Sequence, residues 1–157
     1  MTRAEFVAAL PRKVAAAGAL VTDAGGRVLL VRPTYKPGWE VPGGCVEQGE
    51  SARAACSREL VEELALSVRL GRLLVVEHQT LADDKGDSIM FIYDGGTVAG
   101  IDGLTFADGE IDEARLVEPS RLVEFLQDSL SRRMAAAVRA RREGKLVELV
   151  NGEVQPG

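Results

Sequence analysis

One stretch of the chain carries its strongest signal, Gly44-Cys45-Val46-Glu47-Gln48-Gly49-Glu50-Ser51-Ala52-Arg53-Ala54-Ala55-Cys56-Ser57-Arg58-Glu59-Leu60-Val61-Glu62-Glu63-Leu64-Ala65-Leu66. Residues 51–64 form the clearest helix pattern in the chain. Glu50 and Ser51 suit the positive N-terminal end, alanine and leucine fill the interior, and no glycine or proline interrupts it. Glu59, Glu62 and Glu63 follow the spacing i, i+3, i+4, so at about 100° per residue the three carboxylates share roughly a third of the helix circumference. Like charges one turn apart destabilise an isolated helix by ~0.2–0.5 kcal/mol, so a positive partner is expected against this face. Arg58 can reach Glu62 at i, i+4 and leave Glu59 and Glu63 free. Clustered oxygen ligands suit a hard ion such as magnesium or manganese. On periodicity alone, an acidic solvated face remains the commoner explanation.

The wider spacing changes that balance. Gly44 is followed by five residues, Glu50, seven residues, and then Arg58-Glu59-Leu60-Val61-Glu62-Glu63-Leu64-Ala65-Leu66. This resembles the Nudix box: Gly, five residues, Glu, seven residues, Arg-Glu, an apolar residue, any residue, Glu-Glu, any residue, Gly, an apolar residue. At average residue frequencies a single window matches the six fixed positions and two apolar positions present here by chance on the order of once in ten million or less. The approach Trp39-Glu40-Val41-Pro42-Gly43-Gly44 also looks like the family's. One position departs: Ala65 stands where the family has Gly, and the simplest accommodation is an extra residue of helix.

The resemblance implies a pyrophosphohydrolase that cleaves a phosphoanhydride bond in a nucleoside-diphosphate-linked substrate; a cytoplasmic location is expected because the first twenty residues lack a secretory pattern and no apolar run is long enough for a bilayer. By the same resemblance, Glu59, Glu62 and Glu63, helped by a backbone carbonyl of Gly43 or Gly44, hold one to three Mg²⁺ (or Mn²⁺) ions. Arg58 and Glu50 orient these ligands from behind. The base that activates water is Glu59 or Glu110, the latter from the acidic loop 107–113, whose bland reading is a solvated turn. Arg32, placed before Pro33, and Trp39 are the candidate substrate contacts. For Phe91 and Tyr93 a core role is favoured. The arginines of the last helix, Arg132, Arg133, Arg139, Arg141 and Arg142, read as a solvated face.

Working outward, residues 2–10 suit a short helix capped by Thr2. The apolar runs 14–22 and 27–32, joined by Asp23-Ala24-Gly25-Gly26, suit a hairpin. Residues 39–41 suit a short strand, and Pro42-Gly43-Gly44 argues against regular structure. Residues 72–79 and 88–93 read as another strand pair and 111–117 as a later strand. Residues 119–127 and 130–142 read as helices, the second ending at Gly144. Strands interleaved with helices predict an α/β fold, a Nudix-like α/β/α sandwich with a central mixed β-sheet, as a single domain over 1–157 with a short N-terminal helix and a C-terminal helical extension.

Composition narrows the partners. A formal charge of -5 disfavours a broad grip on nucleic acid. No apolar run is long enough for a bilayer. Two cysteines and one histidine cannot build a soft-metal cage. The expected partner is a nucleotide-type small molecule, with a homodimer left open. A catalytically silent nucleotide sensor and an isomerase of the isopentenyl-diphosphate type are alternatives on the same fold. The first has no need of the whole carboxylate set, and Cys45 lacks the second family's cysteine motif. A pure scaffold offers no reason for the spacing from Gly44 to Leu66. Substrate choice is assigned to loops such as 81–87.

Overall fold

The structure, a computed structural model, describes residues 1–80 and 86–157, so most of the expected specificity loop 81–87 lies outside the described residues. The order is α1 (Arg3–Ala9), β1 (Lys13–Thr22), β2 (Val28–Pro33), β3 (Gly43–Cys45), α2 (Ala52–Leu64), β4 (Leu73–Thr80), β5 (Asp87–Thr97), β6 (Ile111–Val117), a 3-10 turn at Pro119–Arg121, α3 (Leu122–Phe125), α4 (Asp128–Glu143), β7 (Val147–Val150) and β8 (Glu153–Val154). The strands run β6-β2-β1-β5-β4-β7-β8, with β3 paired to β1. β1 with β5 and β4 with β7 are parallel, the other pairs antiparallel. This is the expected mixed sheet between helices.

Strand periodicity explains why both faces need a helix. Val28 and Leu30 join one core cluster with Leu20, Ile92, Met134 and Ala137, while the alternate residues Leu29 and Val31 join another with Cys56, Leu60, Leu64 and Tyr93. α4 covers the first face and α2 the second.

The site is positioned by a wedge in the sheet. Asp23 tightens the β1–β2 turn by accepting from the backbone N–H groups of Gly25 (3.0 Å) and Arg27 (2.8 Å). β2 pairs with β1 only at Thr22 and Val28, then leaves to run beside β6. Residues 40–45 fill the gap. Glu40 and Val31 exchange backbone hydrogen bonds of 2.8 Å, Ala19 N–H donates to Pro42 O at 3.0 Å, and β3 pairs with Ala16–Gly18. The expected strand at 39–41 is therefore a single bridge, and the expected irregular glycines are a strand. Gly43 permits the close approach, since a Cβ there would stand 2.3 Å from Ala17 O and 2.6 Å from the Gly18 Cα.

Two further expectations are corrected. Ala65 is not an extra helical residue: it adopts the left-handed conformation (φ 52°, ψ 32°), and Leu66 N–H closes onto Leu60 O at 3.1 Å. The backbone keeps the turn that a glycine would make easily. The helix expected at 119–127 breaks into the 3-10 turn and α3. The strands β7 and β8 had no expectation at all. Thr2 caps α1 as the sequence predicts, and the structure adds the reciprocal bond from Glu5 that completes a capping box. Among the described residues, no helix is long and apolar enough to cross a membrane.

Candidate active site

α2 starts where Ser51 Oγ accepts from Ala54 N–H at 3.0 Å. Leu60 and Leu64 are buried against the sheet, which aims Glu59 and Glu63 at the wedge and leaves Glu62 half-exposed. Glu63 is only 5% exposed, and its Oε1 accepts from Gly43 N–H at 2.8 Å. Glu59 packs so closely over Gly44 that a Cβ there would stand 2.6 Å from its carboxyl carbon. Glycine at 43 and 44 thus lets carboxylates and backbone meet.

The positive partner expected for the acidic face is Arg58, and it does more than pair with Glu62. Its Nε and Nη2 donate to the two oxygens of Glu50 (2.7 and 2.9 Å), and Nη1 donates to Glu59 (2.9 Å) and Glu62 (3.2 Å). Nη2 also donates to Cys45 O at 3.2 Å. One guanidinium therefore ties the loop before α2, two box carboxylates and the glycine strand together. Hydrogen bonds from Arg58 and from Glu47 N–H hold the Glu50 carboxyl down at about 2, and the same ion pairs raise Arg58.

Burial acts the other way on the inner carboxylates. Desolvation, reinforced by the charges of Glu59, Glu110 and Asp108, pushes Glu63 up to about 8, against the lowering effect of Gly43 N–H. Glu59 is also raised, chiefly by burial, with Arg58 opposing. Glu110 adds to the negative field at both residues, so its loop faces the cluster. Glu110 N–H donates to Asp108 Oδ1 at 3.0 Å and Thr34 N–H donates to Glu110 O at 2.8 Å, which fixes the loop against the end of β2.

Oxygen donors crowded into a poorly solvated corner fit a hard divalent cation. In the structure one oxygen of each of Glu59, Glu62 and Glu63 is held by Arg58 or Gly43, and among the described residues no three acidic, His or Cys side chains already converge as a cage. The other oxygen of each has no protein partner among the described residues.

A cavity of about 250 Å³ opens beside Glu63, bounded by Gly43, Gly44 and Cys45, by Tyr35 and Lys36, and by Phe91 and Arg133 among others. The expected substrate contacts do not line it. Arg32 is held by Asp112 (2.8 Å) and Glu113 (3.0 Å), and Trp39 packs edge-on to Phe125 with the Arg115 guanidinium over its ring. β2 and β6 pair there, so the acidic residues of β6 capture Arg32 before it can reach a ligand. Lys36 and Arg133 supply cations instead. Lys36 is paired with Glu40 at 2.6 Å, and Arg133, expected on a solvated face, is buried against Glu77. Sequence periodicity could have flagged Arg133, one residue before Met134 on the apolar stripe of α4, but the arginine-rich run around it masks that signal.

The NUDIX domain family model matches residues 12–141. A candidate 8-oxo-dGTP diphosphatase of Bacillus subtilis (strain 168) is 31% identical over 116 residues, 73% of each chain. Among solved structures, the MutT protein of Methanosarcina mazei Go1 superposes with a TM-score of 0.67 at 22% identity, covering 86% of this chain and 97% of its own. The NUDIX domain of Shewanella oneidensis NrtR, solved with ADP ribose, gives 0.68 at 19% identity, covering 90% and 99%. At these identities the two structures speak for the fold.

Proposed function

We propose that this chain, which belongs to the Nudix hydrolase family, hydrolyses a phosphoanhydride bond of a nucleoside-diphosphate-linked substrate with Mg²⁺ or Mn²⁺, as one domain over residues 1–157. The observation that carries the reading is the seating of Glu63 against Gly43 and of Glu59 over Gly44, beside a cavity of about 250 Å³ that Glu63 and both glycines line. The box matched by the family model supports it, as does the nucleotide named for the Bacillus relative.

Glu59, Glu62 and Glu63, with a carbonyl of Gly43 or Gly44, are the ligand set. Bound there, one to three divalent ions supply charge neutralisation for the diphosphate oxygens and a polarised water. Arg58 and Glu50 keep the carboxylates aimed, so that ligand geometry is set before substrate arrives. Lys36 meets phosphate charge from the cavity wall. Glu110 positions and deprotonates the attacking water, its charge acting on both Glu59 and Glu63 from a loop outside the ligand set. The intact carboxylate set argues against a silent sensor.

The test is a chelator-controlled screen of nucleoside triphosphates, ADP-ribose, nucleotide sugars and dinucleoside polyphosphates, with product identification. Magnesium-dependent release of a nucleoside monophosphate from one class supports the reading. Full turnover in excess chelator, or no turnover of any class with either ion, sinks it.

A further inference from the structure

The cavity does not stop at Glu63. A second one of about 360 Å³ adjoins it, and Glu40, Met90, Leu130 and Arg133 line both. The outer cavity adds Ser88 and Gln79 from neighbouring positions of β5 and β4. Ser88 is 3% exposed, and its hydroxyl has no hydrogen-bond partner among the described residues. A buried hydroxyl left unpaired is unfavourable unless something else completes it.

Arg133 is 6% exposed and held from behind. Its Nε donates to Glu77 Oε1, and the other oxygen of Glu77 accepts from Gly152 N–H at 2.8 Å. Neither Nη of Arg133 makes a hydrogen bond among the described residues. The fixed end of the guanidinium is therefore satisfied while its donor fork borders the cavities. Met90 and Leu130 offer apolar walls suited to a flat ring.

We propose that the outer cavity receives the substrate's base and that the Arg133 fork selects a 6-oxopurine. The proposal rests on the nucleotide reading above and specifies it. A guanidinium only donates. Guanine and hypoxanthine present two adjacent acceptors, O6 and N7, to such a fork, whereas adenine puts an N6 donor in place of the first. The Ser88 hydroxyl, which can donate or accept, gains its partner on the same ring.

The experiment is calorimetric binding of GMP, IMP and AMP to the full chain with magnesium, beside kcat/KM for GTP and ATP. GMP and IMP should bind at least about tenfold more tightly than AMP, the scale of one bidentate contact. Arg133→Lys keeps a cation opposite Glu77 but loses the fork, and should bring the three within about threefold. Ser88→Leu fills the outer cavity without touching the ion pair and should weaken GMP about tenfold, which keeps the test open if Arg133→Lys misfolds. Equal binding of the three monophosphates by the parent overturns the proposal, as does an unchanged preference in folded Arg133→Lys or unweakened GMP binding in folded Ser88→Leu. Base-selective binding with no hydrolysis of any nucleotide would sink the hydrolase reading alone. Hydrolysis indifferent to the base would sink this inference alone.

Discussion

Glu63 shows most directly how one residue couples fold to chemistry. Its carboxyl is pushed up to about 8 by burial, against an ordinary value of 4.5. A folded-state value above the unfolded one contributes stability that is full below about 4.5 and is lost as pH rises through about 8. In chelator, then, the parent's melting temperature should fall between pH 5 and pH 8, and Glu63→Gln should remove part of that fall and melt a few degrees higher at pH 8. The same variant should lose at least about a hundredfold in magnesium-dependent turnover. Parallel loss of stability and activity would mark Glu63 as structural. Glu59 and Glu110 separate by their connections. Glu59 is tied to Arg58 and packed on Gly44, so Glu59→Gln should shift the magnesium dependence as well as the rate. Glu110→Gln should lower kcat by about a hundredfold or more with metal dependence nearly unchanged. Both are read from kcat across a magnesium titration, and near-normal kcat in Glu110→Gln removes it as the base.

At the level of elements, α2 was legible because its signals are local: a cap, an uninterrupted run and three charges at helical spacing. What surrounds it was less so, for physical reasons. β3 exists only because β2 leaves β1 and opens a wedge, a tertiary event that outweighs the local tendency of Pro42-Gly43-Gly44. The last strands are short, and β7 is recruited as a parallel neighbour of β4, a pairing that local pattern does not encode. Arg32 looked free in sequence because its partner Asp112 is 80 residues away along the chain, with Glu113 next to it, and both come near only across β2 and β6. Ala65 is the clearest case. Its left-handed conformation is disfavoured for a residue with a Cβ, and glycine relieves this at the expense of greater freedom in the unfolded chain. Ala65→Gly should therefore stabilise the protein by about 0.5–1 kcal/mol with kcat unchanged, measured by denaturant unfolding beside steady-state rates. A loss of stability would mean that Ala65 is held by contacts worth more than its backbone strain.

Across the whole molecule, the site lies where both layers meet through the sheet. α2 brings carboxylates from one face, and α4 brings Arg133 from the other. The wedge between β1 and β2 lets the glycine strand reach both. Glu77, fully buried in β4, is the far anchor of this arrangement, gripped by Arg133 on one oxygen and by Gly152 N–H on the other. That second grip comes from the turn between β7 and β8, beyond the 12–141 stretch shared with the family. The turn is itself pinned, since Asn151 N–H donates to His78 O at 2.9 Å and the Asn151 side chain exchanges hydrogen bonds with Thr80. Removing residues 151–157 would leave one oxygen of a buried carboxylate without its donor and strip the outer neighbour from β7. A loss of roughly 1–3 kcal/mol follows from the unmet carboxylate alone, or a melting temperature lower by about 2 °C or more. The metal cluster rests on α2 and the glycine strand, so magnesium-dependent kcat at a temperature where the truncated chain is folded should stay within about threefold of the parent. Differential scanning calorimetry paired with that rate separates the two effects. A truncated chain that melts like the parent would show that Arg133 alone holds Glu77, and a collapse of kcat in the folded state would show that the turn reaches the chemistry.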